Sequence, residues 1–405
     1  MPRPPRNRSL GLALAGGGPF GAIYEIGALV ALEESLEGLD LNELDCYVGV
    51  SAGSFLAAAL ANGIPASEIY RLFIEGGDGA PGALTPELFM RPAFAEYLRR
   101  ARVVPAIAAR SAWNYLRRPL ALGPLEAFAA LGRAIPTGVF DNEAIHDYLE
   151  SVFSRPGQTN DFRRLRRKLY LVATDLDTGE AVSFGRKGHE GVPISKAVQA
   201  SAALPGLFPP VEIDGRHYVD GALRKTLHAS EALDDGVKLV ICVNPIVPFD
   251  AKLAAARGRG PQSNLVDGGL PMVLSQTFRA VIHSRMAAGL AKYRSQYPGS
   301  DVVLFQPEPD DGEIFFTNIF GYATRQRVCE HAYQRTRRDL AKRSAELAPV
   351  LARHGIRINH DVLADPHRRL AIDFGRRGRG TALARTASDL QGALADLQRW
   401  LLRAA

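Results

Sequence analysis

A chain of 405 residues, 46% hydrophobic and 23% charged, has the balance of a globular protein with ample core, which excludes a disordered or fibrous one. Its formal net charge of +6 is mild for this length, compatible with contact to anionic lipid or phosphate but well short of a nucleic-acid footprint. Cys46, Cys242 and Cys329 are widely spaced, offer neither a disulfide framework nor a metal spacing, and suit a reducing cytoplasm.

The N-terminus imitates two things. Arg3, Arg6 and Arg8 precede an apolar run from Leu10, as in a signal peptide, and Glu25 is the single charge between Gly11 and Leu32, as in a membrane span. Gly16-Gly17-Gly18 and Pro19 interrupt any such helix. The same letters read better as a strand over Leu10–Ala15, a loop over Gly16–Gly21 and a helix over Ala22–Leu36. A second strand follows at Cys46–Val50, then helices over Ala52–Ala61 and Ser67–Glu75.

From about 76 to 138 the chain is rich in Gly, Pro and Arg, with aromatic residues carrying much of its apolar weight. Two helices are expected there, Ala93–Arg102 and Ala106–Arg118, as a helical insertion packed on the core or as a lid or interfacial surface. A capped helix runs from Asp141 to Phe153, and strands follow at Leu169–Asp175 and Ala181–Phe184, paired through an Asp177-Thr-Gly179 turn. Ile194–Ser201 is a short helix. Val211–Ile213 and His217–Val219 flank Asp214-Gly215, a two-residue hairpin signal. Val237–Asn244 and Asp301–Gln306 complete the strands, with helical tracts at Leu265–Arg294 and from Thr324 to about His354. Strands alternating with helices make an α/β fold with a mostly parallel central sheet.

Beyond a main domain over 1–355, the stretch 356–380 reads as a basic Gly/Arg-rich linker. After it, Leu383, Ala387, Leu390, Leu394, Leu397 and Leu401 form a coiled-coil-like seam on an amphipathic helix over 381–405. That helix has three candidate partners: the parent domain, a second copy in a homo-oligomer, or a membrane surface.

The chemistry centres on Gly49-Val-Ser51-Ala-Gly53. A serine at the apex of a tight strand-to-helix turn is held in a strained conformation, and glycines two residues either side let strand and helix pack. Gly16, Gly18 and Gly21 also satisfy the dinucleotide pattern G-x-G-x-x-G. However, Asp40 and Asp45 precede the second strand instead of ending it, and Pro19 removes an N–H that a phosphate needs. The other use of such a loop is as a row of N–H donors around an oxyanion. For a base, His217, His228 and His283 lack a recognisable partner pattern. Asp220 ends an apolar strand and would emerge at the sheet edge that carries Ser51.

Together these pieces resemble the patatin-like phospholipase family: GGGPFG at 16–21, GVSAG at 49–53, and DGA at 220–222. ASAALPGLFPP at 200–210 and ATDL with TGE between 173 and 180 strengthen the likeness, which covers roughly 9–245. The resemblance implies a three-layer fold and a serine–aspartate dyad without histidine, with Ser51 as nucleophile and Asp220 activating it. It also implies an oxyanion hole from Gly16, Gly17 and Gly18, and hydrolysis of a glycerolipid or other acyl ester without metal or other cofactor. Phe20 stands where the family usually carries a basic residue, and Arg224 and Lys225 are the nearest candidates to restore the charge. Two alternatives stay open: a catalytically weak lipid- or acyl-binding scaffold of the same fold, and a Ser-His-Asp α/β-hydrolase. The expected location is the cytoplasm, with peripheral contact to anionic membrane.

Overall fold

The computed structural model describes residues 9–75, 91–117, 135–258, 264–316 and 322–370. Strand β1 (Leu10–Leu14) leads through the glycines into helix α1 (Gly18–Ser35), followed by the short β2 (Leu36–Glu37). Next come β3 (Cys46–Val50), α2 (Ala52–Ala61), α3 (Ala66–Tyr70) and α4 (Phe94–Arg117). The central part holds α5 (Glu143–Phe153), β4 (Lys168–Asp175), β5 (Ala181–Phe184), α6 (Ile194–Ser201), β6 (Val211–Ile213) and β7 (Arg216–Asp220). Then follow α7 (Ser230–Asp234), β8 (Leu239–Val243), α8 (Ala251–Ala256), α9 (Gly269–Gln296) and β9 (Asp301–Phe305). The described chain closes with α10 (Gly312–Phe316), α11 (Tyr322–Lys342), α12 (Ser344–Arg353), β10 (Arg357–Ile358) and α13 (His360–Ala364).

The main sheet runs β6-β7-β4-β3-β1-β8-β9, with β5 also paired to β4. β4, β3, β1, β8 and β9 are parallel, and β5, β6 and β7 join antiparallel. Alternation along the strands divides the core into two layers. Leu12, Leu14 and Tyr47 face a large cluster built with α1, α2, α6 and α11. Ala13, Cys46, Val48 and Val50 face a smaller one containing Leu233 of α7 and Met286 and Tyr293 of α9. The result is the expected three-layer α/β fold, because strands buried on both faces need cover on both.

The expected 10–15 strand, glycine loop and helix are all present, but α1 begins at Gly18 instead of Ala22. Pro19 sits in its first turn, where its fixed φ suits a helix and its missing N–H costs nothing. The Asp214-Gly215 hairpin has positive φ at both turn residues, 52° and 75°, as a type I′ turn requires. Within 93–118 the two expected helices are one, with Pro105 inside it. The tract after Thr324 divides at Arg343, and α3 continues past Tyr70 as a wider π turn over Arg71–Glu75.

The first part of the expected linker is body, not linker. β10 pairs antiparallel with β2, Ile356 and Leu370 are buried, and the Asn359 N–H donates to the Ser35 carbonyl at 2.8 Å. Arg368 pairs with Glu34 at 2.8 Å. The polar surface of this stretch hides these contacts, since its few apolar residues are too far apart to make a periodic signal. The expected helix over 381–405 lies outside the described residues. Among the described residues, no helix is long and apolar enough to cross a membrane.

Candidate active site

Register alone brings the three motifs to one row. Leu14 pairs with Gly49, Val50 pairs with Val172, and Ala173 pairs with Asp220. Two steps beyond β1 and one beyond β3, Gly16 and Ser51 therefore lie level with Ala173, and Asp220 stands at that level on β7.

At the elbow Ser51 has φ 52° and ψ −125°, the strained conformation expected of it. The flanking glycines are required by space. A Cβ on Gly49 would lie 2.6 Å from the Ser54 Cα, and one on Gly53 would lie 2.6 Å from the Ala15 oxygen. The turn is tied down by hydrogen bonds. The Gly53 N–H donates to the Ala15 carbonyl at 3.1 Å, the Ser54 N–H to the Ser51 carbonyl at 2.9 Å, and the Ser54 hydroxyl also donates to the Ser51 carbonyl.

These bonds change which amides can face an anion. Of the α2 first turn, the Gly53 and Ser54 donors are committed. Ala52, as the first helical residue, has no intrahelical acceptor. On the glycine loop, a Cβ on Gly16 would lie 2.8 Å from the Ser51 Cβ and 3.4 Å from its Oγ, so this backbone presses directly on the serine. Gly17 packs against Pro245 and Gly21, and Gly18, at φ 63°, opens into free space.

Asp220 is 2% exposed and Ser51 5%, so their contact is dry. The Asp220 carboxylate accepts from the Ala222 N–H at 2.8 Å and interacts with the Ser51 hydroxyl. Burial pushes its carboxyl up from 3.8 to about 6, and the Ser51 hydroxyl and the Ala222 N–H hold it from rising further. Gly221 is needed for this approach, since a Cβ there would lie 2.2 Å from the Val172 carbonyl oxygen.

None of the three candidate histidines is hydrogen-bonded to this pair, though His228 lies against the Gly221 backbone. His217 is exposed on β7, and His283 is half-buried on α9. His228 is buried, with burial first and the nearby Lys225 charge second driving its imidazole down to about 3. Among the described residues, no histidine hydrogen-bonds Ser51 or Asp220. The expected charge replacement also fails to reach the serine. Lys225 donates to the Ser230 hydroxyl at 2.8 Å and lies over the Tyr293 ring, and Arg224 is exposed. Phe20, 5% exposed, lies in the first turn of α1 as part of the core.

The role of the 200–210 block emerges only in three dimensions. The Ser51 N–H donates to the Ser201 Oγ at 2.9 Å, and that hydroxyl donates on to the Val172 carbonyl at 2.6 Å. Two residues later, the Ala203 carbonyl accepts from the Asp220 N–H at 3.0 Å. One short segment thus holds both members of the pair. Ser201→Ala strands a buried amide, so we expect a loss of about 1–2 kcal/mol in denaturant unfolding and a lower kcat with KM nearly unchanged.

A model of the patatin-like phospholipase family matches residues 12–233, more than half of the chain. The chain belongs to the patatin-like phospholipase family. Similar curated relatives include uncharacterised NTE family proteins of Mycobacterium bovis and Mycobacterium tuberculosis. Each is 28% identical over 242 residues, covering 58% of this chain and 30% of the relative. The match thus spans less than a third of those relatives' length. A shorter NTE family protein of Mycobacterium bovis is 37% identical over 73 residues, covering 18% of this chain and 19% of that one. Among solved structures, VipD of Legionella pneumophila aligns over 84% of this chain and 67% of its own, at 17% identity and a TM-score of 0.40. ExoU of Pseudomonas aeruginosa, solved with SpcU, aligns over 71% and 53%, at 18% identity and a TM-score of 0.27. The patatin-family match ends at α7, so β8, β9 and α9 through α13 lie beyond it.

Proposed function

We propose that this patatin-family chain is a lipid acyl hydrolase that works through a Ser51–Asp220 dyad and an acyl-enzyme. The observation that carries the reading is the buried pairing of the Ser51 side chain, on its strained elbow, with the Asp220 carboxylate. In the reaction the Ser51 Oγ attacks the ester carbonyl carbon as its proton passes to Asp220. The carbonyl oxygen becomes an oxyanion facing the amides of the Gly16–Gly18 loop and of Ala52, whose positions are set before charge develops. Collapse breaks the ester C–O bond, and protonated Asp220 returns its proton to the leaving alkoxide. Water then repeats the sequence on the acyl-enzyme, losing a proton to Asp220 and releasing the fatty acid.

Burial improves the base. A carboxyl near 6 is largely ionised at neutral pH yet holds a proton better than an ordinary carboxylate. Its acid limb sits correspondingly high, so kcat/KM should fall as pH drops through about 6.

The test is to treat the purified chain with a fluorophosphonate probe, map the adduct by mass spectrometry, and follow release of fatty acid from short-chain esters and phospholipids. The reading predicts a single adduct on Ser51 and turnover. An adduct elsewhere would overturn it. Lipid binding with neither adduct nor turnover would instead favour the scaffold reading, which the buried Phe20 in the glycine turn supports.

A further inference from the structure

We infer that the outward face of α9 is the surface by which this protein rests on a lipid bilayer containing anionic headgroups. The inference rests on the lipid-hydrolase reading, because such a site must be brought to an ester that stays in a membrane.

Helix α9 has one face packed on the body and an opposite face that is apolar and exposed. Its inner stripe, Gln276, Arg279, Met286 and Tyr293, packs on the body. Its outer face carries Leu270, Val273, Leu274, Phe278 and Val281, all exposed, with Leu270 at 69% and Phe278 at 55%. At 100° per residue these five fall within an arc of about 140° and cover roughly 16 Å of helix. Val266, in the turn just before, extends the patch. Scattered exposed apolar residues need no explanation, but a continuous outward row does.

Charge on the helix selects the occupant. Across its 28 residues α9 has no acidic side chain; of its cations, Arg279 is turned to the body, and Arg285, Lys292 and Arg294 are exposed. Asp267 lies just upstream, its carboxylate closing a capping box on the Asn264 N–H at 2.9 Å. Arg285 and Lys292 continue the outer arc where the apolar row ends. Apolar side chains to enter the acyl boundary, flanked by cations without acids, match an anionic interface.

The position also fits. Gln276 bonds both the N–H and the C=O of Phe249, at 3.0 and 2.7 Å, and Arg279 reaches the Val247 carbonyl at 3.4 Å. That segment follows Pro245, whose ring packs on Gly17. Arg285 donates at 3.2 Å to the Leu223 carbonyl, three residues past Asp220. The helix is therefore braced by the loops that follow β7 and β8, at the end of the sheet that carries the Ser51 row.

The experiment is flotation of the full chain with phosphatidylcholine vesicles, with and without phosphatidylglycerol, at low and high salt. The companion variant is Leu270→Ser/Phe278→Ser, with circular dichroism as the check on folding. We expect tighter binding to the anionic vesicles, weakening with salt, and about a tenfold loss in the folded double variant. Equal binding by parent and variant would overturn the inference, as would indifference to phosphatidylglycerol and salt. So would light scattering that shows a dimeric parent and a monomeric variant, since a second copy would then cover the face. Binding is read without turnover. Failure here therefore leaves the Ser51 adduct untouched, and absence of that adduct leaves the binding result standing.

Discussion

Asp220→Asn is expected to lower ester turnover by about three orders of magnitude and at the same time to stabilise the fold. The amide keeps the shape and can still meet the Ser51 hydroxyl and the Ala222 N–H, but it cannot take a proton. Ser51→Ala should match the loss of turnover and also abolish labelling by the fluorophosphonate.

The stability change follows from the same burial that tunes the base. The Asp220 carboxyl moves from 3.8 to about 6 on folding, so between those values the folded chain holds more protons than the unfolded one. Stability from this group is therefore fully present below pH 3.8, falls as pH rises through the window, and is lost above about 6. The shift corresponds to about 3 kcal/mol at neutral pH, at 1.36 kcal/mol per unit. Urea unfolding at pH 7.5 should show Asp220→Asn more stable than the parent by about 2 kcal/mol, and the gap should close toward pH 4. A variant that is less stable than the parent at pH 7.5 would contradict this account of the carboxyl.

Gly53→Ala is expected to damage fold and site together. The added methyl would lie 2.6 Å from the Ala15 oxygen and 2.7 Å from both the Leu14 carbonyl carbon and oxygen. All three are backbone atoms of β1 and its continuation, which cannot swing aside as a side-chain tip does. The α2 N-terminus must move away from β1, stretching the bond from the Gly53 N–H to Ala15 and carrying Ser51 with it. We expect a loss of about 3 kcal/mol in denaturant unfolding and little remaining turnover. Gly191→Ala is the control: nothing lies within 4 Å of its added carbon and its backbone is not left-handed, so its stability should change by less than about 0.5 kcal/mol.

These two residues mark what could be read before the fold was in hand. Gly53 was legible because a short-range clash dictates it: a strand must turn into a helix within three residues, and a Cβ does not fit. The order of β1, α1, β3 and α2 was legible for a similar reason, since apolar runs bounded by glycine and proline turns mark where each element ends. The boundary of α1 was less so, because Pro19 looks like a loop residue until the chain is seen entering a helix at that point. Residues 356–370 look like linker in the sequence because their anchors, Ile356, Asn359 and Leu370, bind elements that lie far away in the chain.

By itself, the amino-acid sequence determined the α/β class, the elbow at Ser51 and the glycines around it through local backbone geometry and periodicity, and its likeness to a known family pointed to Asp220 as the partner to consider. The tertiary structure alone decided how that partner behaves. Ser201 reaches the Ser51 amide across 150 residues, Ala203 holds the Asp220 amide, and burial between strands lifts the Asp220 carboxyl to about 6. It also moved the question of positive charge, by packing Phe20 into the core and turning Lys225 toward Ser230. Desolvation and long-range hydrogen bonds depend on what surrounds a group, and no spacing along a chain encodes that until the sheet has been assembled.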